Sequence, residues 1–200
     1  NRPVSLARPD GTATTYAYDD AGQLLRLENL DAEGEPISWF AYEWDGEGNP
    51  VAEESLTTVA GGGRARTSRR YAYDGNDRLV SFEESAEGDG APPSHTLETY
   101  EWNAAGNRTA IERTDLGTGV LERTELSYDD DDRLVEAAGP EGRTTYSYDA
   151  AGNLVEKSAP GEDPVQYAYA AENRLALWLD GALDPASPLG AAPFGFPAPK

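Results

Sequence analysis

The chain has 200 residues, enough for one domain with a sizeable core, yet only 38% of them are hydrophobic and the mean hydropathy is -0.66. Its 37 acidic and 16 basic residues give a net charge of -21, a field that repels phosphate backbones and argues against nucleic acid as a partner. Cysteine is absent, which removes disulfides and thiolate metal sites, and no apolar run approaches the ~18 residues of a membrane span. This composition suits a wide, thin sheet wetted on at least one face better than a thick globule.

Residues 1–13 read as an N-terminal arm or first strand. From residue 14 to 179 one phrase then recurs seven times: aromatic, any residue, aromatic, Asp, two small or polar residues, and finally Gly, Asp or Asn. The copies occupy residues 16–22, 42–48, 71–77, 100–106, 126–132, 146–152 and 167–173. A recurring phrase means one supersecondary unit copied and stacked. Such scaffolds usually build surfaces and containers rather than a single pocket.

Within each copy the paired aromatics sit two apart, so on a strand they share a face. They are Tyr16 and Tyr18, Tyr42 and Trp44, Tyr71 and Tyr73, Tyr100 and Trp102, Tyr128 alone after Leu126, Tyr146 and Tyr148, and Tyr167 and Tyr169. Aligned from copy to copy, they are expected to form an aromatic ladder. The next column opens a turn with Asp19, Asp45, Asp74, Asn103, Asp129 and Asp149, and fails only at Ala170. Asp and Asn suit that position because the side-chain oxygen accepts from backbone N–H groups further on. The closing column holds Gly22, Gly48, Asp77, Gly106, Asp132, Gly152 and Asn173, the three residue types that best tolerate positive φ. Two independent columns therefore specify a hairpin with a three-residue loop and a bulge.

A second strand leaves each turn through Leu24, Leu79, Leu134, Leu154 and Leu175, with Pro50 and Arg108 departing from the column. Pro50 removes a ladder donor and is expected beside a weaker strand or a bulge. The return connections are rich in Gly and Pro and uneven: residues 31–36, 60–63, 86–94, 115–119, 138–142 and 159–164. The predicted fold is all-β: about fourteen strands in a long antiparallel meander, strongly twisted into a spiral. Residues 180–200 change character, with five prolines around Phe194 and Phe196, and read as a Pro/Gly-rich C-terminal arm.

The phrase Tyr-x-Tyr-Asp-x-x-Gly-Asn-Leu, intact at residues 146–154, resembles the YD repeat of RHS proteins, and Asp-Arg-Leu at 77–79 and 132–134 suits that family's variation. The resemblance implies a β-sheet spiralling into a hollow shell, as in bacterial polymorphic toxins, insecticidal toxin complexes and teneurins. It implies an extracellular or cell-surface location and partners in the form of further repeats or copies of the chain itself. The self-cleaving core motif of toxin members is not matched: Asp184-Pro185 and Pro188-Leu189-Gly190 have the wrong spacing.

No residue set points to catalysis or to a cofactor. His95 is the only histidine and falls in the long loop 86–97, where it reads as a solvated loop residue with no evident partner for acid–base work. Adjacent acidic pairs such as Glu53-Glu54 and Glu83-Glu84 face opposite ways on a strand, unlike convergent glycosidase carboxylates. Asp129, Asp130, Asp131 and Asp132 form the densest carboxylate run and are weak candidates for a cation. They lack the bend Gly and terminal Glu of a calcium loop, and the turn already accounts for two of them. Arg64, Arg66, Arg69 and Arg70 form a local basic patch, open to pairing with nearby Glu or with a neighbouring copy. The leading functional reading is a non-enzymatic structural module, a shell wall or a self-associating filament or tube protomer. The alternatives are an adhesion module that binds glycan or protein through the Tyr/Trp columns, and a toxin-shell fragment lacking its effector.

Overall fold

Alternating aromatics followed by a turn signal produce hairpin after hairpin. The computed structural model describes residues 2–59, 62–89 and 91–180. It contains fifteen strands: β1 (Ser5–Ala7), β2 (Ala13–Tyr18), β3 (Leu24–Leu30), β4 (Pro36–Trp44), β5 (Pro50–Thr58), β6 (Arg64–Tyr73), β7 (Leu79–Gly88), β8 (Ala91–Trp102), β9 (Arg108–Asp115), β10 (Leu121–Tyr128), β11 (Leu134–Gly139), β12 (Gly142–Tyr148), β13 (Leu154–Ser158), β14 (Val165–Ala170) and β15 (Arg174–Asp180). They form an antiparallel sheet whose order is the order of the chain, so every repeat is a hairpin beside its sequence neighbour. The strand count exceeds the expected fourteen because part of the N-terminal arm pairs as β1, with Ser5 opposite Thr15. All but the first residue of the predicted C-terminal arm lies outside the described residues.

The expected loop at 86–94 is instead the tight end of the β7–β8 hairpin. Gly88 stands opposite Ala91 and Ala86 opposite Ser94, so Pro92 and Pro93 fall in a register irregularity. Proline needs no ladder partner there, which explains how a strand accommodates two of them. His95 consequently lies on β8 opposite Ser85, and not in a solvated loop.

A second irregularity recurs where the sequence showed only one. In the hairpins of the first, second, third, fifth, sixth and seventh copies the register slips at the second aromatic: Ala17 faces Arg26 but Tyr18 faces Leu24, leaving Leu25 unpaired. This bulge places Leu24 and Leu27, three apart, opposite Tyr18 and Tyr16, two apart. Pro50 sits at the start of β5 beside the same bulge, opposite Trp44.

The described residues divide into two compact units, 2–101 with 111–122 and 102–110 with 123–180. Neither has a thick core. The buried residues are Thr14 and Ser55 in the first unit and Ala110 and Ala168 in the second, and no large side chain is fully enclosed. Polar links across strands supplement the first unit. Arg8 donates to Thr14, Thr14 to Asn29, and Asn29 to Ser38, joining β2, β3 and β4. Two residues of the basic patch pair within the chain: Arg69 on β6 donates to Glu84 of β7 at 2.7 Å and to Glu53 of β5 at 3.0 Å, and Arg66 meets Glu54.

Candidate functional site

The feature that recurs along the described residues is the seam between hairpins, and it is the candidate functional site. Its first component is the turn. The Asp carboxylate accepts the backbone N–H four residues on: Asp19 from Gln23 at 2.7 Å, Asp45 from Asn49 and Asp149 from Asn153 at 2.8 Å, Asp74 from Arg78 at 3.1 Å, and Asp129 from Arg133 at 2.9 Å. Asn103 accepts in the same way from Asn107 at 2.9 Å. The N–H of the closing residue donates back to the carbonyl of the opening one in all six. That closing residue has positive φ in every copy: 96° at Gly48, 94° at Gly106, 84° at Gly22 and Gly152, 60° at Asp132, 57° at Asp77 and 55° at Asn173. The seventh turn, opened by Ala170, has no such carboxylate and takes a short 3-10 form with Glu172 also at positive φ.

These hydrogen bonds favour the ionised carboxylate. The Arg78 and Arg133 guanidinium groups, with turn N–H donors, hold Asp74 and Asp129 below the ordinary value of 3.8. The Asn153 side chain and backbone do so for Asp149, and the Asn49 backbone leads for Asp45.

The second component ties four of the repeats to the one before them. The polar tip of the second aromatic donates to the carbonyl of the first residue of the preceding repeat's second strand. Trp44 Nε1 reaches Leu24 at 2.9 Å, Tyr73 Oη reaches Pro50 at 3.0 Å, Tyr128 Oη reaches Arg108 at 2.8 Å and Tyr148 Oη reaches Leu134 at 2.9 Å. Burial pushes the Tyr73 and Tyr148 hydroxyls above their usual value, which keeps them as neutral donors. Ring contacts add to this within repeats: Tyr16 stacks on Tyr18, Tyr42 lies 6.3 Å from Trp44, and Tyr71 lies 5.4 Å from Phe82. Tyr100 Oη donates to Glu98, and Trp102 packs under the Arg108 guanidinium. Tyr146 stands opposite Lys157, Tyr167 opposite Trp178 and Tyr169 opposite Leu175.

The third component was missed from sequence: the residue just after the positive-φ position. Asn49 and Asn153 bond both their own turn carboxylate and the closing side chain of the next turn, Asp77 and Asn173, each at 3.1 Å. Asn107 reaches Asp132 at 2.5 Å. The alternation of Asn with Arg in this column was the signal available.

Three of the four consecutive carboxylates are taken up by the same architecture. Asp129 caps the turn and pairs with Arg133, Asp131 lies 3.1 Å from Arg133, and Asp132 accepts from Asn107. Among the described residues no group of three or more His, Asp or Glu side chains is placed to hold a metal ion. His95 Nε2 lies 2.6 Å from Glu83 Oε1 beside a shallow polar depression of about 410 Å³ lined by Glu54, Arg66 and Ser68. Its partner was not evident in the sequence because it comes from the neighbouring strand. Among the described residues no helix is long and apolar enough to cross a membrane.

The described strands make a chain-ordered antiparallel meander of hairpins, six of them with an Asp- or Asn-capped turn and four of them pegged to the preceding repeat by an aromatic tip. The resemblance to the RHS/YD-repeat family holds, since residues 128–164 match the family model described as RHS Repeat. The fold is similar to a chain in the structure of the Photorhabdus luminescens Tc holotoxin pore with a mutated TccC3. The TM-score is 0.56 and the identity 14%, over 88% of this chain and 10% of that one. It is also similar to a chain in the crystal structure of TcdB2-TccC3, with a TM-score of 0.55 and 14% identity over 92% of this chain and 11% of that one. At 14% identity this likeness shows the fold alone, and the chain spans about a tenth of the length of those chains. No curated protein matches the sequence.

Proposed function

We propose that this chain is a structural, non-enzymatic module that forms part of the wall of an extracellular or toxin-encapsulating β-shell. The observation that carries the reading is the seam. Successive hairpins are joined through side chains as well as through the backbone ladder, while among the described residues no large side chain is fully buried. That construction suits a wall, whose stability comes from neighbour-to-neighbour links. The similar fold in two toxin-complex structures supports the same reading.

The outer strands give the wall its assembly points. Val4 and Leu6 beside and on β1, and Leu175 and Trp178 on β15, are more than half or about half exposed apolar residues at sheet margins. Such edges pair with further strands, from other repeats or from copies of the chain. Electron microscopy of the native material tests the proposal. Curved walls around a lumen, or tubes built of them, are the expected result. Compact solid particles without a wall would overturn it.

A further inference from the structure

Two kinds of contact join neighbouring turns, and the residue types on the two sides are correlated. Call the residue just after each positive-φ position the linker. Where the linker is Asn, the next turn closes with a residue that offers a side-chain oxygen: Asn49 with Asp77, Asn107 with Asp132, Asn153 with Asn173. Where the linker is longer, the next turn closes with Gly. Gln23 precedes Gly48, Arg133 precedes Gly152, and in the sequence Arg78 precedes Gly106. Arg2 stands in the same relation to Gly22.

The geometry supplies the reason. A Cβ at Gly22 would overlap the Arg2 guanidinium, and one at Gly48 would lie 3.4 Å from Gln23 Nε2. A Cβ at Gly152 would make only an ordinary 3.9 Å contact with Arg133 Nη1, so the overlap is confined to Gly22; Arg2 and Arg133 lie over the second aromatic rings of the neighbouring repeats, Tyr18 at 5.7 Å and Tyr148 at 5.2 Å. Asn is too short for that ring but reaches an oxygen carried on a closing side chain. Both linker types also hold their own turn: Arg133 donates to Asp129 Oδ2 at 2.7 Å and Asn153 to Asp149 Oδ2 at 2.9 Å. The change of linker therefore alters only what the neighbour must be.

We infer that the row of turns carries a two-type recognition code: an Asn linker selects a neighbouring turn closed by Asp or Asn, and an Arg or Gln linker selects one closed by Gly. The code sits outside the backbone ladder, which any two strands can form. It specifies which hairpin follows which and resists the slipped or swapped pairings to which repeated strands are prone.

A double-mutant cycle in the 200-residue chain tests this, using Asn107→Arg, Asp132→Gly and the two together. The readout is hydrogen-exchange protection of the residue-132 amide, which donates to the Asp129 carbonyl. Glycine at a positive-φ site is favoured in its own right, so the informative quantity is the coupling and not either single effect. One lost hydrogen bond of about 1 kcal/mol corresponds to roughly 5-fold in protection. The code predicts that the double variant is at least about 5-fold more protected than the two single effects combined. Coupling within about 2-fold of none would overturn it, as would Asn107→Arg alone protecting the turn as well as the parent does. Should a variant in this cycle fail to fold, Asn49→Arg with Asp77→Gly poses the same question, read at the residue-77 amide with the same two outcomes.

Discussion

Replacing Tyr148 with Phe removes one atom from the seam and leaves the ring in place. In the parent the hydroxyl donates to the Leu134 carbonyl at 2.9 Å in a part-buried setting, and the ring lies 5.2 Å from the Arg133 guanidinium. The net value of such a hydrogen bond is about 0.5–1.5 kcal/mol. Tyr148→Ala also forfeits the cation–π contact, about 0.5–1 kcal/mol, and the apolar contribution of a half-buried ring, roughly half of the ~1.5–3 kcal/mol for full burial. The expected costs are therefore about 1 kcal/mol for Phe and roughly 2–4 kcal/mol for Ala. For a chain of this size each kcal/mol lowers Tm by about 2–4 °C. Because repeat sheets also open locally, hydrogen exchange should rise first in the strands flanking the peg, Leu134–Gly139 and Gly142–Tyr148. Differential scanning calorimetry with exchange mass spectrometry reads both effects. A Phe variant that matches the parent in Tm and in local exchange would refute the claim that the hydroxyl links the repeats.

Further outcomes follow from the same geometry. Gly48→Val puts a β-branched residue at φ 96° and should cost about 1–3 kcal/mol in chemical denaturation, with Gly48→Asn costing distinctly less. Arg69→Ala leaves Glu53 and Glu84 without their shared cation; with the side chain about a third exposed, the loss should be near 1 kcal/mol and should shrink as salt is raised. Folding lowers the pKa of Asp45, Asp74, Asp129 and Asp149, so their contribution is fully present above the ordinary Asp value of 3.8 and is lost as pH falls through the depressed values. A pH titration of Tm should therefore decline below about pH 4, and Asp74→Asn with Asp129→Asn should flatten that decline.

The turns were legible because their chemistry is local. Asp149 and Gly152 do their work within five residues of chain, and a column of Asp with a column of Gly, Asp or Asn states the turn type outright. The missing Asp at Ala170 marked the one turn that differs. What the sequence left obscure depends on the partner strand. The bulge at Leu25 exists only relative to Tyr18 and Ala17, although apolar residues three apart, as at Leu24 and Leu27 or Leu79 and Phe82, were its trace. Pro92 and Pro93 read as a loop because proline disfavours ladders, and only the register shows that they fall where the ladder is already broken. His95 lacked a partner for the same reason: Glu83 is 12 residues away in the chain but adjacent across the hairpin. The aromatic columns pointed to ring stacking; the link to the preceding repeat by way of Oη and Nε1 requires knowing which carbonyl lies beside each tip.

The most direct measurement is a cryo-electron microscopy map of the native assembly at a resolution that traces strands. The account predicts a sheet wall one layer thick in which the turns at Asp19, Asp45 and Asp74 stand side by side on one rim, as do those at Asn103, Asp129 and Asp149. A map in which the hairpins fold face to face around a solid core, burying the aromatic columns against one another, would contradict it.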